Sequence, residues 1–514
     1  MLEYQRGLPK SISILRAKLL PKGDSMETRF HQNLSKKLGK GVAWNIFSQV
    51  LQQAIRLCVI FILARLLNPA DFGIFAMAMV FIEFIEPFRE WGFQAALIYK
   101  QDIDEEYKST AFWSICVVAV SLYLSALILA SSIGRFFNNS EVSKIIPFVA
   151  LGILFAPLGA VQWAMLVRDL KFNAIAGRNA VAEVLYGTTA CVLAFNNFGV
   201  WSFVIGSIVR ELTWSLALWI FYKWRPLFKF SITKFKEILG YSVNCTGISV
   251  LNSGINNVDN LLVGKFLGTI KLGFYNLAFN TVSHPQTKLA SQISIVTFPA
   301  FSIIQNNKER ILSAYEKTLR AIMLVTVPPL AILFTSAKEF ISVFYGNKWL
   351  ESVFLIQIMC FYGLLRAIAS ASGSVFLSKG RAALYLKINI LKLAIFLVAL
   401  LYGLRYGIIG VAFAVLAYSV ITFLPVFYYT NKTLGANNLR LYTAVFQYIV
   451  VYFSIIGIVW YCDRVILQCY EPMPILHLGI NIVLGISVYF AILVMFLRSD
   501  LHLMFDLVKK LLKK

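Results

Sequence analysis

The sequence predicts an all-α polytopic membrane protein with about fourteen transmembrane helices, on three observations. Apolar stretches of roughly 20 residues recur along the chain, long enough to cross the hydrocarbon core of a bilayer as helices. Of the 514 residues, 59% are hydrophobic and only 14% charged. A soluble domain would carry about a quarter charged residues. Basic residues, finally, crowd every second connector.

In order, the stretches run 42–66, 72–91, 110–133, 145–167, 174–196, 200–222, 236–263, 272–303, 317–336, 350–377, 384–404, 407–430, 440–461 and 475–498. Asn68–Asp71 divides the first two, and Asn196–Gly199 divides the fifth and sixth; both are turn-like and hold no Lys or Arg. The connectors Lys223 to Lys236, Lys308 to Arg320 and Lys379 to Lys387 are rich in them. Pro87, Pro157, Pro285 and the Pro328–Pro329 pair lie in or near spans and read as kinks. The stretches and their turns use nearly everything after residue 40, so no large soluble catalytic domain fits.

Lys and Arg total 48 against 25 Asp and Glu, a formal net charge of +23. Arg6, Lys10, Arg16, Lys36, Lys37 and Lys40 already lie in the first forty residues. Lys/Arg-rich short loops stay cytoplasmic, which places both termini in the cytoplasm. The charge is therefore a topology signal beside anionic lipid headgroups, and no nucleic acid partner is expected. The first forty residues lack the apolar core of a signal peptide. Ile12 to Leu20 reads as a basic amphipathic surface helix, or Met26 is the natural start; both stay open. Cys58, Cys116, Cys191, Cys245 and Cys360 fall in spans as small apolar residues. Cys462 and Cys469 flank the last outward connector, where a disulfide can form.

The two halves resemble each other. "LLNPADFGIFAMAMVFIEFIEP" matches "FLGTIKLGFYNLAFNTVSHP", with Gly73 and Gly273 in the same place and Pro87 and Pro285 within a couple of positions. "NNFGVWSFVIGSIV" echoes "LRYGIIGVAFAVLA" in the same way. Corresponding segments stand an even number of spans apart, so the repeats share one orientation. The division that follows is a basic cytoplasmic segment at 1–40, a six-span lobe at 41–222 and a cytoplasmic linker at 223–236. A second, pseudo-symmetric six-span lobe fills 237–430, and two further helices with a basic cytoplasmic tail fill 431–514.

The segments "LNPADFGIFAMAMVFIEFIEPFREWGFQAALI", "KSTAFW", "QWAMLVRDLKF" and "DNLLVGKFLGTIKLGFYNLAFN" resemble the polysaccharide-export branch of the multidrug/oligosaccharidyl-lipid/polysaccharide exporter superfamily, and within it the Wzx/WzxC-type flippases. The resemblance covers about residues 40 to 430, and the last two spans carry no motif of it. It implies a MATE/MurJ-like fold and a bacterial inner-membrane transporter. Its cargo would be an undecaprenyl-diphosphate-linked oligosaccharide, turned from the cytoplasmic to the periplasmic leaflet by alternating access. The product would feed O-antigen, capsule or exopolysaccharide synthesis, with polymerase and glycosyltransferase machinery as partners. The resemblance implies no cofactor, and exchange of H+ or Na+ stays open.

A charge at the bilayer centre costs roughly 2.5–3.5 kcal/mol on insertion scales, so each needs a reason. Arg56, Arg210, Lys288, Arg366 and Lys392 face Glu83, Glu86, Glu183, Glu211 and Asp259 in number, and pairing between helices can account for them. Asn45, Gln49, Gln52, Gln53 and Arg56 draw one polar stripe along span 1. Ser249, Asn252, Ser253, Asn256, Asp259 and Asn260 do the same in span 7, its repeat mate. Such stripes cannot face lipid. They line either a wet cationic cleft between the lobes or a dry helix seam.

For a diphosphate, Arg56 is the first candidate, because a guanidinium binds phosphate bidentately and stays charged. Gln49, Gln52, Gln53, Asn252, Asn256, Lys288 and Arg366 complete the candidate cargo set. Asp259, Glu83, Glu86 and His284 are the candidates for ion coupling, with helix pairing as the plainer role of the glutamates. His284 beside Pro285 also reads as a hydrogen-bonded core histidine.

No glycine-rich phosphate loop and no HxxxH or CxxC spacing occurs, which argues against nucleotide hydrolysis and a metal site. A cation-coupled, MATE-like small-molecule antiporter stays open, although it favours a carboxylate-dominated cavity. A membrane-embedded glycosyltransferase or polymerase would need clustered carboxylates or a long outward loop.

Overall fold

The computed structural model of the protein describes residues 51–90, 93–100, 103–169, 171–435, 439–467, 473–498 and 500–501. Each apolar stretch falls on helix wherever it is described, and no strand occurs among the described residues. The long helices are α1 (51–66), α2 (Pro69–Glu90), α3 (Glu105–Phe137), α4 (Ser140–Arg168), α5 (Phe172–Phe195) and α6 (Trp201–Phe221). A continuous run, Ile232–Ile304, is interrupted at Gly268, whose φ of 82° is open to glycine but strained for other residues. That break separates α7 (232–267) from α8 (269–304). Then follow α9 (Lys308–Thr335), α10 (Ser352–Ser378), α11 (Ala382–Gly403), α12 (Gly407–Leu434), α13 (Leu439–Cys462) and α14 (Pro474–Phe496).

Among the described residues, eight helical runs are long and apolar enough to cross a membrane, and one of these holds both α11 and α12. This is a multi-pass membrane protein. Of the helices outside that group, α2 carries Glu83, Glu86 and Arg89, and α5 carries Arg178 and Glu183.

Local chemistry sets the helix ends. Asp104 caps α3 by accepting the Tyr107 amide at 2.8 Å, and Asn138 ends it in the left-handed region. Asn139 then caps α4. Midway, α4 is broken into a 3₁₀ turn at Ala156–Gly159, where Pro157 removes an amide donor.

The described contacts divide the chain into two units. Of the described residues, the first holds 51–67 together with Ile74–Leu261. Here the 223–236 connector is strapped across the start of α3. Trp113 Nε1 donates to the Leu227 carbonyl at 2.9 Å, and the Leu227 and Ser231 amides donate to Ser109 and Thr110. Lys234 bridges Asp104 and Glu106. The Lys234 ammonium and the Tyr107 amide hold the Asp104 carboxyl below its usual range, and the two carboxylates push the Lys234 ammonium up.

The second unit holds Asn68–Gly73 and the described residues from Leu262 onward. Within it the two repeat glycines face one another's backbone: a Cβ on Gly73 would overlap the Thr269 carbonyl, and one on Gly273 the Pro69 carbonyl. Trp349 is fully buried, with Phe72 at 4.9 Å and Phe274 at 5.8 Å. The last two helices are fastened at both ends. His477 contacts Asp463 through Nε2 and stands 3.7 Å from Glu339 through Nδ1. At the other end, buried Asp500 accepts from Arg320 at 2.9 Å and from the Tyr448 hydroxyl at 3.1 Å.

Candidate functional site

A cavity of about 330 Å³ lies inside the first unit. The break in α4 makes room for it. There the carbonyls of Phe155 and Leu158 are taken up by α6, through Ser215 Oγ and through Trp219 Nε1 at 2.7 Å. Gly159 sits against Leu218, so a side chain there would be driven into α6. The walls come from Arg89 at the end of α2, Gln94, Trp163 in α4, Arg178 in α5, and Glu211, Trp214 and Ser215 in α6. These positions lie toward the helix ends that lead to Lys100, Lys171 and Lys223, the basic-connector side.

Guanidinium groups dominate the electrostatics. Arg178 stacks over Trp214 at 5.4 Å, and its Nε and Nη2 donate to Asn179 Oδ1 at 2.9 and 2.7 Å. Arg210 lies over Trp214 at 5.2 Å and Tyr186 at 5.4 Å. Its Nη2 is 3.5 Å from Glu211 Oε1. Arg89 is paired with Glu86 at 2.9 Å. Three buried polar atoms here find no hydrogen-bond partner among the described residues: Glu211 Oε2, Trp214 Nε1 and Arg210 Nε.

Arg56 pairs with Glu183, whose side chain is only 2% exposed against 26% for Arg56. Tyr186 interacts electrostatically with Arg56, Glu183 and Arg210, so the pair continues toward the cavity wall. Gln53 Nε2 is buried and unpartnered among the described residues. Gln52 is half-buried on the same helix, whereas Gln49 lies outside the described residues.

The candidates of α2 and α7 converge. Ser253 Oγ donates to the Glu83 carbonyl, and the Glu83 carboxyl interacts with Asn257, Glu86 and Asp259. Asp259 is 2% exposed and accepts the Asn260 amide at 2.9 Å. Asn256 is exposed. In the second unit Arg366 donates to the Tyr362 hydroxyl at 2.9 Å and lies over Phe279 at 6.0 Å. Asn252, His284 and Lys288 lie on helix, and their side chains are outside the described set.

Arg178, Trp163, Trp214 and Gln94 were not legible as site residues. Arg178 had a weak signal, an arginine near the start of the 174–196 apolar stretch, but the tryptophans look like any other lining of a span. Arg210 and Glu211 count among the membrane charges, while the place of Glu211 on the cavity wall depends on how α6 meets the broken α4.

The first unit thus carries a cationic, aromatic cavity within membrane-spanning helices, and comparison with known proteins gives it a setting. The chain is similar to the lipopolysaccharide biosynthesis protein WzxC of Escherichia coli K12, with 26% identity over 410 residues, 79% of this chain and 83% of that protein. It is also 26% identical over 477 residues to the teichuronic acid biosynthesis protein TuaB of Bacillus subtilis 168, covering 90% of this chain and 96% of that protein. Among solved structures, the lipid II flippase MurJ in an inward closed conformation aligns with a TM-score of 0.71 at 15% identity, over 88% of this chain and 99% of that one. An inward-facing multidrug resistance MATE family transporter of the MOP superfamily aligns at 0.59 and 14% identity, over 75% and 96%. The fold is accordingly of the MurJ/MATE type. A family profile described as "Polysaccharide biosynthesis protein" matches residues 62–354, more than half of the sequence, and the chain belongs to that family.

Proposed function

We propose that this protein is a flippase for an isoprenyl-diphosphate-linked oligosaccharide, moving it from the cytoplasmic to the periplasmic leaflet of a bacterial inner membrane during surface polysaccharide synthesis. The observation that carries the proposal is the first unit's cavity, where Arg89 and Arg178 present guanidinium groups among membrane-spanning helices. A headgroup with net negative charge is the cargo this lining suits. Both chain termini are cytoplasmic in this reading, so the cavity stands on the leaflet where the lipid-linked sugar is made.

The relatives support the reading by name. WzxC is named a lipopolysaccharide biosynthesis protein, TuaB a teichuronic acid biosynthesis protein, and MurJ a lipid II flippase. Polymerase and glycosyltransferase machinery would act before and after this step. The physical task is to carry a diphosphate and its sugars past hydrocarbon, while the isoprenoid tail stays in lipid. Alternating access performs it, and an inside-negative potential favours outward movement of an anion by about 2.3 kcal/mol per charge per 100 mV.

Glu83, Asn257 and Asp259 are where proton or sodium coupling would reside, with no separate cofactor. The same group is what a cation-coupled small-molecule antiporter would use, and it favours that second reading. Deleting the gene should trap the lipid-linked oligosaccharide on the cytoplasmic leaflet and abolish surface glycan, with drug sensitivity unchanged. Intact glycan with heightened drug sensitivity would instead establish the antiporter.

A further inference from the structure

The 223–236 connector is built inside out. Its backbone polar groups are bonded to the protein: the Leu227 amide donates to Ser109 Oγ at 3.0 Å, the Ser231 amide donates to Thr110 Oγ1 at 3.1 Å, and the Leu227 carbonyl accepts from Trp113. Its apolar side chains are outside instead, with Phe228 94% exposed, Ile232 67% and Phe230 51%. Single exposed apolar residues are ordinary, whereas three so close together on a backbone held in place call for a covering.

Charge divides in the same way. The neighbouring carboxylates have partners: Lys234 bridges Asp104 and Glu106, Lys108 pairs with Glu105 at 2.7 Å, and Lys100 pairs with Glu237 at 2.7 Å. Lys223, Lys229 and Lys236 are exposed and have no ion-pair partner among the described residues. The connector therefore presents apolar rings beside uncompensated ammonium groups. Its contacts hold it at the start of α3 and the end of α6, two helices long and apolar enough to cross a membrane. Leu216, Ile220 and Phe221 are exposed as well, on the last turns of α6.

We infer that this connector is an interfacial anchor: Phe228, Phe230 and Ile232 insert at the boundary of headgroups and acyl chains, while Lys223, Lys229 and Lys236 bind anionic lipid headgroups. Aromatic rings are favoured at that level, and basic residues beside them attract negatively charged lipid. The fixed backbone loses little freedom on insertion, which strengthens binding. The anchor follows from where α3 and α6 end, whatever cargo the protein carries. It holds that end of the first unit at a set depth in the bilayer.

The test uses the full-length chain, freed of its own cysteines, with Phe228→Cys labelled with bimane. The protein is placed in nanodiscs of equimolar phosphatidylcholine and phosphatidylglycerol. Brominated acyl chains quench a label that touches lipid, and iodide quenches one that touches water. Bromolipid quenching should dominate, and the same label at Ile232→Cys, which leaves both rings in place, should behave alike. Brominated phosphatidylglycerol should quench at least about twofold more than brominated phosphatidylcholine, because each lysine beside an anionic surface raises the local lipid concentration several-fold. Combining Lys223→Gln, Lys229→Gln and Lys236→Gln should bring that ratio close to one; these side chains hold no ion pair, so the fold is kept. Iodide-dominated quenching at either site overturns the anchor. A label shielded from both quenchers overturns it too, and marks a surface covered by protein. Equal quenching by the two brominated lipids before the lysines are changed, or an undiminished ratio afterwards, overturns the anionic-lipid site.

Discussion

Arg56 shows what a single residue can and cannot announce. A guanidinium inside an apolar stretch is conspicuous in sequence, but its partner, Glu183, sits on α5 far along the chain. No spacing rule links two helices that meet only in the folded bundle. Removing one partner of a buried pair costs about 3–5 kcal/mol, because the other charge is left uncompensated. Arg56→Ala should therefore lower the amount of folded protein as well as export. Adding Glu183→Gln should restore abundance and leave export impaired. Quantitative immunoblotting beside a surface-glycan assay reads both effects, and full export by the double variant would take Arg56 out of transport.

Elements were more legible than contacts. The positions of α3 and α4 follow from their apolar stretches and from the caps Asp104 and Asn139. The break around Pro157 follows from its missing amide. What stayed hidden was the use made of that break, whose Phe155 and Leu158 carbonyls are taken up by Ser215 and Trp219 of α6. The matched glycines were visible as a repeat, while their mutual backbone approach was not. Gly73→Ala and Gly273→Ala should each cost roughly 1–3 kcal/mol through overpacking. Combining them should cost less than the sum, because both disrupt one contact. Thermal unfolding in detergent measures this, and two additive losses would mean separate contacts.

The connector strap carries a pH dependence with a definite sign. Asp104 has a lowered pKa, so its contribution is present above the ordinary carboxylate range and fades as pH falls through the lowered value. Lys234 has a raised pKa, so its contribution persists to alkaline pH and is lost only as pH rises through the raised value. An acid-stable protease should cut between Lys223 and Lys234 more readily as pH drops below about 4. Asp104→Asn should be cut readily at neutral pH too, with that acid-side rise largely removed. An unchanged neutral-pH rate in that variant would show that the pair does not hold the strap.

At the scale of the molecule, fold class came from hydropathy and loop charge, and the duplicated pattern came from Gly73, Gly273 and their flanking residues. Those signals are repeated along the whole chain, so they survive errors at any one position. The cavity is different in kind, because its lining is drawn from α2 to α6 and the short helix Phe93–Tyr99, elements far apart in the sequence. Its chemistry is the core of the transport account, and a flipping assay addresses it directly. Proteoliposomes carrying wild type or Arg178→Gln at equal protein density would be loaded with a fluorescent undecaprenyl-diphosphate-linked saccharide, and its leaflet exchange followed by quenching. The account predicts exchange by the wild type and a rate at least about tenfold lower for Arg178→Gln, the loss expected for a charge-assisted contact to the headgroup. Equal rates for the two proteins would contradict it.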